Sequence, residues 1–127
     1  MQVRYSFREV RDAGPHFAPP QECDVTLTSA LSILDELAQR PPPPTLAGEN
    51  GGDRAWISFL EPPRVLHLYF KPEPDRISYE SYPGTNDDLC GLATLDMIKE
   101  AVRLFFDGKS PKSFLESHSL ELFDDEI

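Results

Sequence analysis

The stretch AWISFLEPPRVLHLYF, residues 55–70, decides the fold. Two segments in which side-chain character alternates, 55–60 and 65–70, flank a four-residue turn, and this pattern predicts a β-hairpin. If Leu60 pairs with Val65, one face of the hairpin is wholly apolar and must be buried in the core. The residues of this apolar face are Ala55, Ile57, Phe59, Leu66, Leu68 and Phe70.

The opposite face of the same hairpin is aromatic and polar. In that register Ser58 lies opposite His67, and Trp56 lies opposite Tyr69. Outward-facing aromatic side chains are typical anchors of protein–protein interfaces, so this face is a candidate binding surface. The alternative is that a helix covers it, which would make Trp56 and Tyr69 a second layer of the core.

Alternation continues on both sides of the hairpin. It predicts a first strand at 3–7 and a further antiparallel strand at 76–82. In the later strand, apolar side chains alternate with polar ones that include Glu80. We expect Glu80 and Tyr82 to extend the aromatic and polar face of the hairpin.

Two segments have the apolar spacing of amphipathic helices. Thr28 is the predicted N-cap of the first helix, which continues to about Gln39. Thr94 caps the second helix, at 95–107, and Gly108 ends it. Each helix has a single apolar stripe, which must pack against a face of the sheet.

These elements predict one α+β domain, residues 1–127, with a mostly antiparallel sheet of about four or five strands and two amphipathic helices. The chain has 13 prolines, which act as breaks because proline neither continues a helix nor donates a hydrogen bond within a sheet. They predict loops at 12–22 and 40–54, and we expect the second loop to be mobile. Residues 116–127 form an acidic tail.

The chain is strongly acidic, and its charged residues are unevenly distributed. The chain has 22 Asp and Glu against 12 Lys and Arg, a formal net charge of −10. Residues 80–127 hold 11 acidic and four basic side chains, so the C-terminal third dominates the negative charge. Such a surface disfavours binding to nucleic acids and anionic membranes and attracts a basic partner. The acidic residues predicted to meet that partner are Asp87, Asp88, Asp124, Asp125 and Glu126.

No pattern indicates a catalytic residue, a cofactor or a metal ion. His16, His67 and His118 each stand without a second His or Cys at metal-ligand spacing. Cys23 and Cys90 have acidic neighbours in sequence, which disfavour a reactive thiolate. No apolar run approaches the ~20 residues of a membrane span, and no basic-then-apolar leader occurs near the start. We therefore expect a non-enzymatic protein of the reducing cytoplasm with both thiols free.

The second helix and its exit are similar to the C-terminal signature of a bacterial immunity-protein family. The order of a short helix, a Gly/Pro loop and a three-strand meander is similar too, over residues 25–115. Members of this family are encoded beside polymorphic toxins, often of the deaminase fold. The residues that carry the similarity are the run Thr94-Leu95-Asp96-Met97-Ile98-Lys99-Glu100-Ala101, then Phe105-Phe106, Gly108 and Pro111.

Two positions depart from that signature. Ser110 stands where the family often has Arg, and the stretch at Phe114 and Glu116 lacks a tryptophan that often follows. The toxin-contacting residues of the family form no fixed motif, so the resemblance assigns none here. It implies an inhibitor that binds a cognate toxin domain and blocks its active site or nucleic-acid groove. The alternative is a secretion chaperone for an effector protein, a class that is also small, acidic, cytoplasmic and usually dimeric; the sequence leaves the oligomeric state open.

Overall fold

The structure is a computed structural model that describes residues 1–7, 19–40, 53–73, 75–82, 89–109, 111, 114–115 and 121–122. Its helices and strands, in chain order, are β1 (Gln2–Phe7), β2 (Gln21–Asp24), α1 (Leu27–Ala38), β3 (Ala55–Glu61), β4 (Arg64–Phe70), β5 (Ile77–Tyr82), β6 (Leu89–Ala93), α2 (Leu95–Phe106) and β7 (Glu121–Leu122).

The hairpin of β3 and β4 forms in the predicted register. Leu60 pairs with Val65, which places all six residues of the predicted apolar face on one side of the sheet. The turn is shorter than predicted, because Glu61 and Arg64 still pair with each other at the end of the ladder. Only the two prolines between them lie outside the strands.

Within the described part of the chain, the strands form one seven-stranded sheet of order β2-β1-β3-β4-β5-β6-β7. Every neighbouring pair is antiparallel. The predicted fold class, α+β with an antiparallel sheet and two helices, is confirmed, although the sheet has more strands than the predicted four or five.

The additional strands lie at and near the edges of the sheet. β2 begins within the predicted loop 12–22 and continues to Asp24, and β6 directly precedes α2, where no strand is predicted. Both lack the alternation of apolar and polar residues that marks the central strands: all four residues of β2 are exposed, and β6 contains Gly91. Pairing with β1 and β5 therefore holds them in the sheet, and single-segment patterns do not reveal such pairing.

The core lies between one face of the sheet and both helices. All six residues of the apolar hairpin face have no exposed surface, and they share a single buried cluster with residues of α1 and α2. The ring of Phe59 lies 6.5 Å from that of Phe105 and 6.0 Å from that of Phe106, which places α2 against β3. An ion pair of 2.5 Å between Lys99 and Asp35 joins α2 to α1. The alternative that a helix covers the other face is therefore wrong for the two described helices.

The helix boundaries follow from their caps. α1 begins two residues earlier than predicted, because Thr26 rather than Thr28 is its N-cap. The Thr26 hydroxyl accepts a hydrogen bond of 3.2 Å from the backbone N–H of Ser29. Thr94 caps α2 as predicted. Gly108, with φ of 78°, follows α2 in the left-handed conformation that glycine tolerates.

Two arginines at opposite ends of the hairpin hold the C-terminal ends of the helices. Arg54 donates to the carbonyl oxygens of Ala38 (2.8 Å) and Arg40 (3.3 Å) at the end of α1. Arg64 donates to the carbonyl oxygens of Phe105 (3.1 Å) and Lys109 (2.8 Å) at the end of α2. Cationic side chains suit this position because the C-terminal carbonyl groups of a helix carry partial negative charge.

The segment 40–54, predicted as a mobile loop, is described only at its two ends. Asp53 and Arg54 at its C-terminal end are buried, and Asp53 pairs with Lys71 at 2.8 Å. Residues 41–52 lie outside the described residues, as do 116–120 and 123–127 of the acidic tail. Neither α1 nor α2, at 12 residues each, is long and apolar enough to cross a membrane.

Candidate protein-binding face

The sheet face opposite the helices, which we call the open face, brings together the hairpin residues predicted to bind a partner. Strand pairing aligns Ser58 of β3 with His67 of β4 and Glu80 of β5 in one row across the sheet. The neighbouring row aligns Trp56 with Tyr69. Because residues paired across neighbouring strands point to the same side, all five side chains share this face.

Hydrogen bonds between neighbouring strands fix the polar side chains of the open face. The Ser58 Oγ lies 2.6 Å from the His67 Nδ1, and the Tyr69 hydroxyl donates to the Glu80 Oε1 at 3.2 Å. The rings of His67 and Tyr69 lie side by side, with centroids 6.4 Å apart. Side chains held in this way lose little conformational entropy when a partner docks on them, which favours tight binding.

Burial sets the charge state of the histidine at the centre of this face. His67 is half-buried, and burial lowers its pKa, while the nearby Glu80 carboxylate acts in the opposite direction and raises it. Burial is the larger of the two effects. The imidazole is therefore predominantly neutral at neutral pH, and its bond with Ser58 joins two uncharged groups.

Apolar side chains extend the open face beyond the residues that the sequence singled out. Leu60 and Val65 form the next pair of the hairpin and are half-buried, and Leu92 of β6 lies opposite Ser78 in the row of Trp56. The alternation that identified Trp56 also places Leu60 and Val65 on this face, so their position was available from the sequence. Leu92 was not, because β6 was not predicted.

The structure describes little of the remaining predicted partner-binding residues. Tyr82 belongs to β5 and pairs with Val65, so its register position is that of an open-face residue. The acidic residues all lie outside the described residues, so their position relative to the open face stays a prediction. They are Asp87, Asp88, Asp124, Asp125 and Glu126.

The row of Ser58, His67 and Glu80 contains the residue types of a hydrolytic triad, but its setting favours binding over catalysis. Ser58 is only 7 % exposed, which limits attack on a substrate. β3 is paired on both sides at Ser58, with Arg4 and His67, so the backbone N–H groups that would stabilise an oxyanion already serve the sheet. Among the described residues, no three His, Cys, Asp or Glu side chains are grouped closely enough to hold a metal ion.

Comparisons with known proteins give no family assignment. No family model, curated protein or solved structure matches the chain. The features of the chain that bear on its function are therefore the open face, the net charge and the sequence resemblance around α2.

Proposed function

We propose that this protein is an immunity protein that binds a cognate bacterial toxin domain through the open face and so blocks the toxin's active site or substrate groove. The observation that carries the proposal is the ordered aromatic and polar surface that both described helices leave uncovered. The resemblance of the α2 region to an immunity-protein family supports the same function and indicates a toxin of the deaminase type, acting on nucleic acid.

The composition of the open face suits a protein partner. Trp56 and Tyr69 are the residue types that most often dominate the binding energy of an interface, and each is half-buried and backed by paired strands. The polar side chains of His67 and Glu80 lie beside them, and hydrogen bonds within the sheet hold these side chains in place. A surface of this kind binds by shape and polar matching and requires no chemical step.

Charge complementarity supports the choice of partner. A toxin domain that acts on nucleic acid needs Lys and Arg side chains to bind phosphate groups, so its substrate groove is basic. A chain with a net charge of −10 is attracted to such a groove at long range and repelled by the nucleic acid that would otherwise occupy it.

Co-expression tests this function directly. The wild-type chain is produced together with the deaminase-type toxin domain encoded beside its gene, and bacterial growth is measured. We expect growth to be rescued and the purified proteins to form a one-to-one complex with folded toxin. Failure of rescue despite soluble expression contradicts the proposal. A homodimer that binds only an extended segment of its partner would instead identify a secretion chaperone.

A further inference from the structure

Arg54 has bonding capacity that its structural role does not use. Its Nε donates to the carbonyl oxygen of Lys71 at 2.6 Å, and its Nη1 donates to two carbonyl oxygens at the end of α1. Among the described residues, no acceptor bonds its Nη2, and no carboxylate forms an ion pair with it. Arg64, its counterpart at the other end of the hairpin, differs: it pairs with Glu61 at 2.6 Å and donates to carbonyl oxygens through Nη2.

A cleft lies beside Arg54. The residue is 7 % exposed and lines this cleft, which has a volume of about 290 Å³. The cleft lies between the end of α1, the start of α2 and the sheet strands beneath them. Its lining residues are Asp35, Ala38, Gln39, Arg54, Phe70, Asp75, Ile77 and Leu95.

The lining combines a cation, two carboxylates and an apolar wall. Asp35 pairs with Lys99, and the Asp75 Oδ1 accepts a 2.7 Å hydrogen bond from the backbone N–H of Leu95. Asp75 holds this place with φ of 54°, an uncommon conformation for a residue other than glycine. Because Lys99 already pairs with Asp35, Asp75 is the carboxylate of the lining without an ion pair among the described residues. A ligand with only a carboxylate would bond Arg54 but face Asp75, whereas a ligand that also carries an ammonium group would match both signs.

We propose that this cleft binds a small zwitterion with an apolar side chain, in the manner of a free amino acid. Its carboxylate would accept a hydrogen bond from the Arg54 Nη2, its ammonium group would face Asp75, and its side chain would lie on Phe70, Ile77 and Leu95. The volume lies just below that of typical small-molecule pockets, which span about 300–1,000 Å³, so larger ligands are disfavoured. The cleft lies on the helix side of the sheet, and the inference does not rest on the proposed toxin binding.

Calorimetric titration with three matched compounds tests the ligand class. L-leucine carries both charges, 4-methylpentanoate lacks the ammonium group, and 3-methylbutylamine lacks the carboxylate. A ligand of about nine non-hydrogen atoms reaches affinities on the order of millimolar, so titrations extend to about 20 mM. We expect saturable binding of L-leucine and at least about tenfold weaker binding of the other two. No saturation by L-leucine, or equal binding of 4-methylpentanoate, overturns the inference.

Three variants locate the site. Ala38→Leu places a larger side chain in the cleft and so reduces its volume, and leucine is well tolerated in helices. This variant should abolish L-leucine binding. Arg54→Lys keeps the charge, removes the Nη2 donors and should weaken binding about tenfold. Arg64→Lys disturbs the matching anchor of α2 away from the cleft and should leave binding unchanged. If Ala38→Leu folds and still binds L-leucine with wild-type affinity, the site is not this cleft.

Discussion

At the scale of single residues, the open face depends on contacts that join side chains of neighbouring strands. His67 is the titratable member of this set, and it lies between Ser58 and Glu80 in one row of paired residues. Burial lowers the pKa of His67 below its ordinary value of 6.5, while Glu80 acts against this effect. The neutral imidazole is thus the form that the fold favours.

This pKa shift predicts a pH dependence of stability. Because the folded-state pKa of His67 is lowered, its contribution to the free energy of unfolding is fully present above the unfolded pKa of 6.5 and is lost as pH falls through the folded pKa. Urea denaturation of wild type and His67→Gln, between about pH 8 and pH 5, measures this contribution. We expect the wild type to lose more stability than the variant as the solution is acidified. Equal losses of stability in the wild type and the variant would contradict the lowered pKa of His67.

The aromatic anchors predict a second result at this scale. Trp56→Ala and Tyr69→Ala should each weaken toxin binding by more than ~1 kcal/mol while the domain stays folded, because both side chains face outward. Phe59→Ala, in contrast, removes a fully buried ring and should cost about 3–5 kcal/mol of stability. Leu104→Ala on α2, a half-buried position remote from the open face, is the matched control and should keep its affinity. If the Trp56 and Tyr69 variants unfold like Phe59→Ala but retain binding when folded, these rings are core.

The sequence could predict the core face and the pairing of the hairpin residues, because alternation fixes both once a single pair such as Leu60 and Val65 is chosen. It could not predict whether a helix also covers the aromatic and polar face, since Trp56 and Tyr69 on that face could pack against an apolar stripe as well. Nor could it identify Arg54 as buried. The segment before β3 is polar and rich in glycine and proline, and the carbonyl oxygens that hold Arg54 belong to Ala38 of α1 and to Lys71, just after β4, both remote in sequence.

At the scale of helices and strands, the hairpin of β3 and β4 organises the molecule. Its apolar face receives both helices, and Arg54 and Arg64 at its two ends bind the C-terminal ends of α1 and α2. The ring of Phe105 lies under the Arg64 guanidinium, 4.0 Å from it, which adds a cation–π contact to the two carbonyl bonds. Helix position is therefore tied to the strands that carry the open face.

Loss of the Arg64 anchor should destabilise the protein measurably. Arg64→Ala leaves the carbonyl oxygens of Phe105 and Lys109 without this donor and removes the stacking on Phe105. We expect a loss of about 1–3 kcal/mol in the free energy of unfolding, measured by urea denaturation. Glu61→Gln breaks only the exposed ion pair with Arg64 and should cost less than about 1 kcal/mol. Similar losses in the two variants would show that the helix anchor contributes little.

A strand can be predicted from the sequence when its apolar and polar side chains alternate. β1, β3, β4 and β5 alternate apolar and polar side chains and were predicted, whereas β2 and β6 do not and were missed. The N-cap of α1 was misplaced by two residues because Thr26 and Thr28 are both good capping residues, and only the backbone conformation distinguishes them. Tertiary pairing, rather than local preference, decides these cases.

At the scale of the whole molecule, the proposed function divides binding between the net charge and the open face. We expect the charge of −10 to attract a basic domain from a distance and the open face to supply the close contacts. Electrostatic steering acts mainly on association, whereas buried aromatic contacts act mainly on dissociation. The two features should therefore be separable by kinetics.

Neutralisation of the acidic tail tests the steering role. Replacing Asp124, Asp125 and Glu126 by Asn, Asn and Gln should slow association with the toxin domain at low salt and leave dissociation nearly unchanged. Surface plasmon resonance at several salt concentrations measures both rates. The wild-type association rate should fall as salt rises, and the difference from the variant should shrink. An unchanged association rate in the variant at low salt would contradict this role.

The most direct test of toxin binding by the open face uses Trp56, the single tryptophan of the chain. Incorporation of 5-fluorotryptophan gives one fluorine resonance from that face, which is followed by NMR while unlabelled toxin domain is added. We predict that the free resonance is replaced by a shifted one and that the change is complete at one toxin per chain. Formation of a stable complex with the Trp56 resonance unmoved would show that the toxin binds elsewhere.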